Sequence, residues 1–142
     1  MIYTKMTKEA LKLCFEAHKE QVDKSGMPYV FHPFHVAEQM TDEESTVVAL
    51  LHDLIEDTDY TLDDLRARGF SETVVEAIGL MTHEDGVSYE DYLKRIKANP
   101  LARTVKLADI AHNSDRTRLD DDDPRAEKWQ QKYAHARAIL EA

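Results

Sequence analysis

The run Val47-Val48-Ala49-Leu50-Leu51 passes without a break into His52-Asp53-Leu54-Ile55-Glu56-Asp57. A chain with this stretch has to bury its first half and still accommodate four ionisable side chains beside it. Unpaired charge against a core is costly, so His52, Asp53, Glu56 and Asp57 need partners, either one another or a metal ion. On a helix, residues four apart share a face. That spacing stacks His52 over Glu56 and Asp53 over Asp57, with His52 and Asp53 about 100° apart around the axis. Taken alone, the segment is equally well read as a helix end whose acids are solvated.

The rest of the chain is punctuated as helices with readable ends. The first is expected over about Lys8 to Lys24, with Ala10, Leu11, Cys14, Phe15, His18 and Val22 on one face. Gly26 and Pro28 in "SGMPY" break it, and a short helix starts near His32 with Pro33 in its first turn. Thr41 and Glu44 form a capping-box signature ahead of "VVALLHDLIED". Thr61 caps a short helix that stops at Gly69, Ser71 one to Met81, and Ser88 one to Ala98, which Asn99 and Pro100 end. "ARTVKLADIAHN" carries the next, and Asp123-Pro124 opens a last one to about Leu140. No segment alternates with period two. The expectation is an all-α single domain, residues 1–142, of about seven or eight helices.

The net charge of −10 argues against nonspecific binding to nucleic acid or anionic membrane. It leaves room for a small phosphorylated ligand, because a metal and a few local cations outweigh a distant acidic surface. The acidic run Asp120 to Asp123 reads as a solvated loop. The single cysteine, Cys14, cannot pair within the chain and suits a reducing cytoplasm. The first ten residues lack a basic stretch followed by an apolar one, so no secretory leader is expected. No apolar run nears the roughly 20 residues of a membrane span.

Helical spacing builds a second polar patch in "KLADIAHN". Lys106, Asp109, His112 and Asn113 lie three or four apart on a helix whose Val105, Leu107 and Ile110 face inward. "FHPFH" adds His32 at a helix start. His32, His52, Asp53 and Asp109 can close around one divalent cation, and mixed nitrogen and oxygen donors suit Mn²⁺, Fe²⁺, Co²⁺ or Zn²⁺. Glu56 and Asp57 are then placed to orient or deprotonate a water activated by the metal. Lys24, Lys106 and Arg116 are candidate cations for phosphate oxygens, although Lys106 serves equally well in an ion pair with a nearby acid. His18 reads as a hydrogen-bonded core residue, His35 as packing, and His83 and His135 as surface. His112 is either packed or orients Asp109 or another ligand. Between Asp53 and Asp109 only His83 is available as a further imidazole, so a single metal is expected.

The order His32, His52-Asp53, Asp109 resembles the HD superfamily of metal-dependent phosphohydrolases. "AHKEQVDKSGMPYVFHPFHVAEQM", "VVALLHDLIEDT", "SYEDYLKRI" and "VKLADIAHN" are similar to the hydrolase domain of Rel/Spo proteins and to the small alarmone hydrolases. The resemblance implies an HD-type fold and Mn²⁺-dependent removal of the 3′-pyrophosphate from guanosine tetra- or pentaphosphate, (p)ppGpp. It implies His32, His52, Asp53 and Asp109 as metal ligands, Glu56 and Asp57 as the pair serving the water, and Lys24, Ser25 and Asn113 in the nucleotide pocket. The family usually has Arg-Lys before "SG"; here the pair is Asp23-Lys24. Asp23 is therefore expected to bear on substrate choice, through a hydrogen bond to base or sugar. "HNSDRT" is one residue longer than the usual stretch, which leaves Arg116 and Thr117 without an assigned place. Hydrolysis of another nucleotide or phosphoester, and a non-catalytic nucleotide-binding domain, are the alternatives.

Overall fold

The computed structural model describes residues 1–120 and 122–142, so Asp121 of the acidic run lies outside the described residues. Among the described residues nine α-helices follow one another: α1 (Lys5–His18), α2 (Phe31–Glu38), α3 (Glu43–Leu51), α4 (Leu54–Asp57), α5 (Leu62–Ala67), α6 (Glu72–Met81), α7 (Tyr89–Lys97), α8 (Pro100–Asn113) and α9 (Ala126–Glu141). A 3₁₀ turn covers Arg116–Arg118. The fold is all-α, as the patterning requires. α3 is its central post: every residue from Ser45 to Leu51 is buried, and α1, α2, α6 and α8 pack around it. α9 closes the far side against α7 and α8.

The capping residues set most helix ends. Ser71 and Ser88 accept from the backbone N–H three residues on, and Thr61 forms a reciprocal box with Asp64. Three expectations shift. α1 starts at Lys5 behind a Thr4–Thr7 box and ends at His18, short of Lys24. Residues 21–29 instead form a small hairpin in which Tyr29 N–H donates to Gln21 O and Asp23 N–H to Met27 O. Gly26 at its tip has φ +80°, a conformation only glycine adopts without strain. α3 is capped by Asp42, whose Oδ1 accepts from both Ser45 N and Ser45 Oγ, and not by Thr41. Asn99 opens α8 with Pro100 in its first turn, besides ending α7.

The helix expected to run through "VVALLHDLIED" divides at His52-Asp53 into α3 and the four-residue α4. The His52 ring nitrogen Nδ1 lies 2.6 Å from the Ala49 carbonyl, the acceptor an unbroken helix offers to Asp53 N–H. Asp53 takes φ −103° and ψ 1°, the bridge region outside the helical well. Asp57 N–H still donates to the Asp53 carbonyl at 3.0 Å and both side chains line one cavity, whereas His52 is buried and Glu56 exposed. Burial on both sides holds the break: Leu50, Leu51 and Leu54 are fully buried, at about 1.5–3 kcal/mol each. Among the described residues, no helix is long and apolar enough to cross a membrane.

Candidate active site

Three elements meet beside that break. α2 carries His32, the end of α3 carries His52, and α8 carries Asp109, all buried. His32 Nε2 lies 2.8 Å from Asp109 Oδ1, and His52 Nε2 lies 3.4 Å from the same oxygen. One donor atom from each residue falls within 4.8 Å of the others. Asp53 stands at the edge of this trio, its Oδ2 3.2 Å from His52 Nε2 and accepting from the Tyr29 hydroxyl.

The cluster's electrostatics follow from its neighbours. Burial alone would lift the Asp109 carboxyl. The Lys106 ammonium, 3.0 Å from Oδ2, and the hydrogen bond from His32 outweigh burial and hold it well below the usual range. Asn113 Nδ2 donates to Oδ1 at 3.0 Å. Asp53 is pushed well above the usual range by burial first, then by the charges of Asp109 and Asp57. Two carboxylates thus lie beside the buried histidines, and among the described residues Lys106 pairs with Asp109. His52 Nδ1 can only donate to the Ala49 carbonyl, so in the neutral ring Nε2 carries a lone pair. That Nε2 is buried, faces two carboxylate oxygens, and has no hydrogen-bond partner among the described residues. A lone pair turned toward carboxylates is the chemistry of a cation site, and the donor set fits a divalent ion. His112 backs the site: its Nδ1 is 2.8 Å from His32 Nδ1, and the two rings stack with centroids 5.0 Å apart. Burial, then the charges of Arg118, His32 and His35, lower its pKa to about 4, so its neutral ring could take a His32 Nδ1–H if an ion replaced the hydrogen bond from His32 Nε2 to Asp109.

A cavity of about 600 Å³ opens from this cluster. Asp23, Lys24, Ser25, His32, Asp53, Asp57 and Asn113 line it, as the sequence suggests. Four predicted residues do not: His52 and Asp109 are buried within the cluster, and Glu56 and Lys106 are engaged elsewhere. Glu56 is exposed and accepts from the His83 N–H at 3.3 Å, while Lys106 is engaged by Asp109 behind the cluster. Arg116 turns toward Glu127 on α9, 3.9 Å away, and its place in the cavity is taken by Arg118. Tyr29, Trp129 and Tyr133 also line the cavity, and the sequence reading passed over all of them. Only Tyr29 offered a local signal, being three residues before His32. The other histidines divide as follows. His18 is buried with Nδ1 2.8 Å from Gln21 Oε1, His135 is exposed, and His35 stacks on His112. His83 is half-buried against Tyr92 and is not plain surface.

Asp23 is occupied by the fold. Its Oδ1 accepts from Ser25 N and Met27 N, closing the hairpin, and its Oδ2 lies 3.7 Å from the Arg118 guanidinium. Arg118 is further held by His112 O and Asn113 Oδ1, both at 3.1 Å. A free carboxylate reading a base is thus not what this chain presents. Asp23→Asn keeps the Oδ1 acceptor and should leave the melting temperature nearly unchanged. Asp23→Arg loses both acceptors and sets a second cation beside Arg118, a loss of about 1–3 kcal/mol in thermal denaturation. Equal stability of the two variants would remove Asp23 from the hairpin's support.

Helical fold and buried cluster together define an all-α protein with a candidate site for a divalent cation. The chain belongs to the HD-domain family, whose model matches residues 10–97. Among curated proteins it is 35% identical over 116 residues to a guanosine-3′,5′-bis(diphosphate) 3′-pyrophosphohydrolase of Aquifex aeolicus, covering 73% of this chain and 16% of that protein. It is 33% identical over 124 residues to the bifunctional (p)ppGpp synthase/hydrolase SpoT of Escherichia coli, covering 77% and 18%. The chain thus spans less than a fifth of the length of these two relatives. Its fold is similar to a solved structure described as a metazoan ortholog of SpoT that hydrolyzes ppGpp. The TM-score is 0.76 at 22% identity, over 99% of this chain and 85% of the other.

Proposed function

We propose that the chain is a phosphohydrolase that removes the 3′-pyrophosphate of guanosine tetra- or pentaphosphate, with Mn²⁺ as the resident metal. The observation that carries this reading is the orphaned His52 Nε2, set among His32, Asp53 and Asp109, two of which, His32 and Asp53, line a nucleotide-sized cavity. The activities for which the two curated relatives are named support the substrate. His32, His52, Asp53 and Asp109 would hold the metal. A divalent cation supplies a water of lowered pKa and polarises a phosphoryl oxygen. The water oxygen joins the phosphorus next to the ribose and the bond to the 3′-oxygen breaks; pyrophosphate is released, and the 3′-oxygen stays on the nucleotide and takes a proton from solvent to become a hydroxyl. Asp57 faces the cavity, and desolvation lifts its carboxyl, which suits it to take the water's proton. Arg118 and Lys24 supply positive charge for phosphate oxygens, Asn113 positions Asp109, and Ser25 ties the hairpin to the Arg118 carbonyl at 2.6 Å. A single domain with a cytoplasmic location, supported by the buried thiol of Cys14, completes the reading.

Purified protein with Mn²⁺ should release pyrophosphate from guanosine 3′,5′-bis(diphosphate), lose the activity in EDTA, and bind one metal equivalent by elemental analysis. Preference for a different nucleotide would move the assignment to another HD substrate, a reading kept open by Asp23 standing where arginine is usual. Nucleotide binding without turnover would make the chain a non-catalytic binding domain.

A further inference from the structure

The inner half of the cavity is accounted for by His32, Asp53, Asp57 and Asn113, but its outer half is walled by α9 and has no role in the reaction as described. Trp129 and Tyr133 line that wall, four residues apart and so on one face of α9. The helix is held in register there by Gln130, whose Nε2 donates to the Ser114 carbonyl at 2.7 Å. Trp129 is half-buried, and two cations lie over its ring: Lys24 Nζ at 3.7 Å from the centroid and the Arg125 guanidinium at 4.6 Å. Arg125 is committed to Asp123 through two hydrogen bonds, at 2.8 and 3.0 Å. Lys24 has no carboxylate within ion-pair distance among the described residues. Burial, then the charges of Lys132, Arg125 and Arg118, lower its pKa, so its ammonium gains when an anion arrives. A flat aromatic face covered by a movable cation, beside further cations, suits a ligand that is itself an aromatic ring bearing phosphates.

We propose that Trp129 is the nucleobase platform of this cavity: Lys24 leaves the indole face for a phosphate oxygen of an entering purine nucleotide, and the base stacks in its place. This rests on the reading that the cavity takes a nucleotide. It adds where the base goes, and it assigns α9 a binding role. Stacking of this kind is sequence-tolerant, because every base has a π-face. Trp129 therefore supplies affinity for a purine, and the choice among purines falls to polar groups around it.

Trp129 is the chain's one tryptophan, so intrinsic fluorescence reports this ring alone. The test is a titration of the metal-free protein in EDTA with guanosine 3′,5′-bis(diphosphate), and separately with inorganic pyrophosphate. Saturable quenching by the nucleotide and little by pyrophosphate is expected. In the Mn²⁺-loaded protein, Trp129→Ala should raise KM for the nucleotide roughly 5- to 100-fold, with kcat within about twofold. Trp129→Phe, which keeps a ring, should recover most of the loss. Absence of quenching by the nucleotide, equal quenching by pyrophosphate, or an unchanged KM in Trp129→Ala would each overturn the platform. The two readings separate cleanly: quenching without any hydrolysis sinks the activity and keeps the platform, whereas hydrolysis without quenching does the reverse.

Discussion

Lys106→Met is expected to cost the metal-free protein about 3–5 kcal/mol of stability, with most of the loss recovered at saturating divalent cation. The substitution keeps the apolar stem and removes only the ammonium. That ammonium lies 3.0 Å from Asp109 Oδ2, with the two side chains 14% and 7% exposed, so little solvent screens the pair. Its removal leaves a buried carboxylate with hydrogen bonds from His32 and Asn113 but no formal countercharge. A divalent ion on Asp109 would replace the missing charge, and binding to the folded state alone adds about 2.7 kcal/mol at a hundredfold excess over Kd. Urea denaturation in EDTA and in Mn²⁺ measures both numbers. A loss of the same size in the two buffers would mean that the cation does not sit on Asp109.

The catalytic and metal-holding carboxylates should part company in a matched pair of variants. Asp57→Asn should lower kcat by about 10²–10⁴-fold while metal content stays at one equivalent. Asp53→Asn should lose metal and turnover together, because Asp53 Oδ2 is the oxygen that faces His52 Nε2 at 3.2 Å. Glu56→Gln is the informative control. The sequence pairs Glu56 with Asp57, but the structure gives its carboxylate to the His83 N–H and leaves it off the cavity wall. Its substitution should therefore be milder than that of Asp57. Metal analysis beside steady-state kinetics decides the matter, and an Asp57→Asn protein with wild-type turnover would end the proposed role of that residue.

Much of this protein is written in short-range pattern. Ser71, Ser88 and Thr61 stop and start helices through hydrogen bonds spanning three residues, and those ends stand where the sequence puts them. The three-and-four spacing on α8 likewise brings Lys106 and Asn113 to Asp109 without help from elsewhere. The cluster of His32, His52 and Asp109 was legible because each residue sits on an otherwise apolar helical segment, and such segments have one core to share.

What the sequence left open depends on contacts that no periodicity relates. The break after α3 follows from His52 competing for the Ala49 carbonyl while Leu50, Leu51 and Leu54 are buried on either side, and the sequence reading carried one helix straight through it. The hairpin at residues 21–29 gives Asp23 Oδ1 two backbone N–H groups to accept, a role that its charge does not announce. Arg118 enters the cavity in place of Arg116, and Ser25 meets the Arg118 carbonyl across a separation of 93 residues. Trp129 reaches the same cavity because α9 packs on α7 and α8, with Gln130 bonded to the Ser114 carbonyl at the end of α8. Local hydrogen bonds and helical spacing determine the elements and the metal-type cluster; the walls of the cavity, and so what fits it, are decided where distant segments pack.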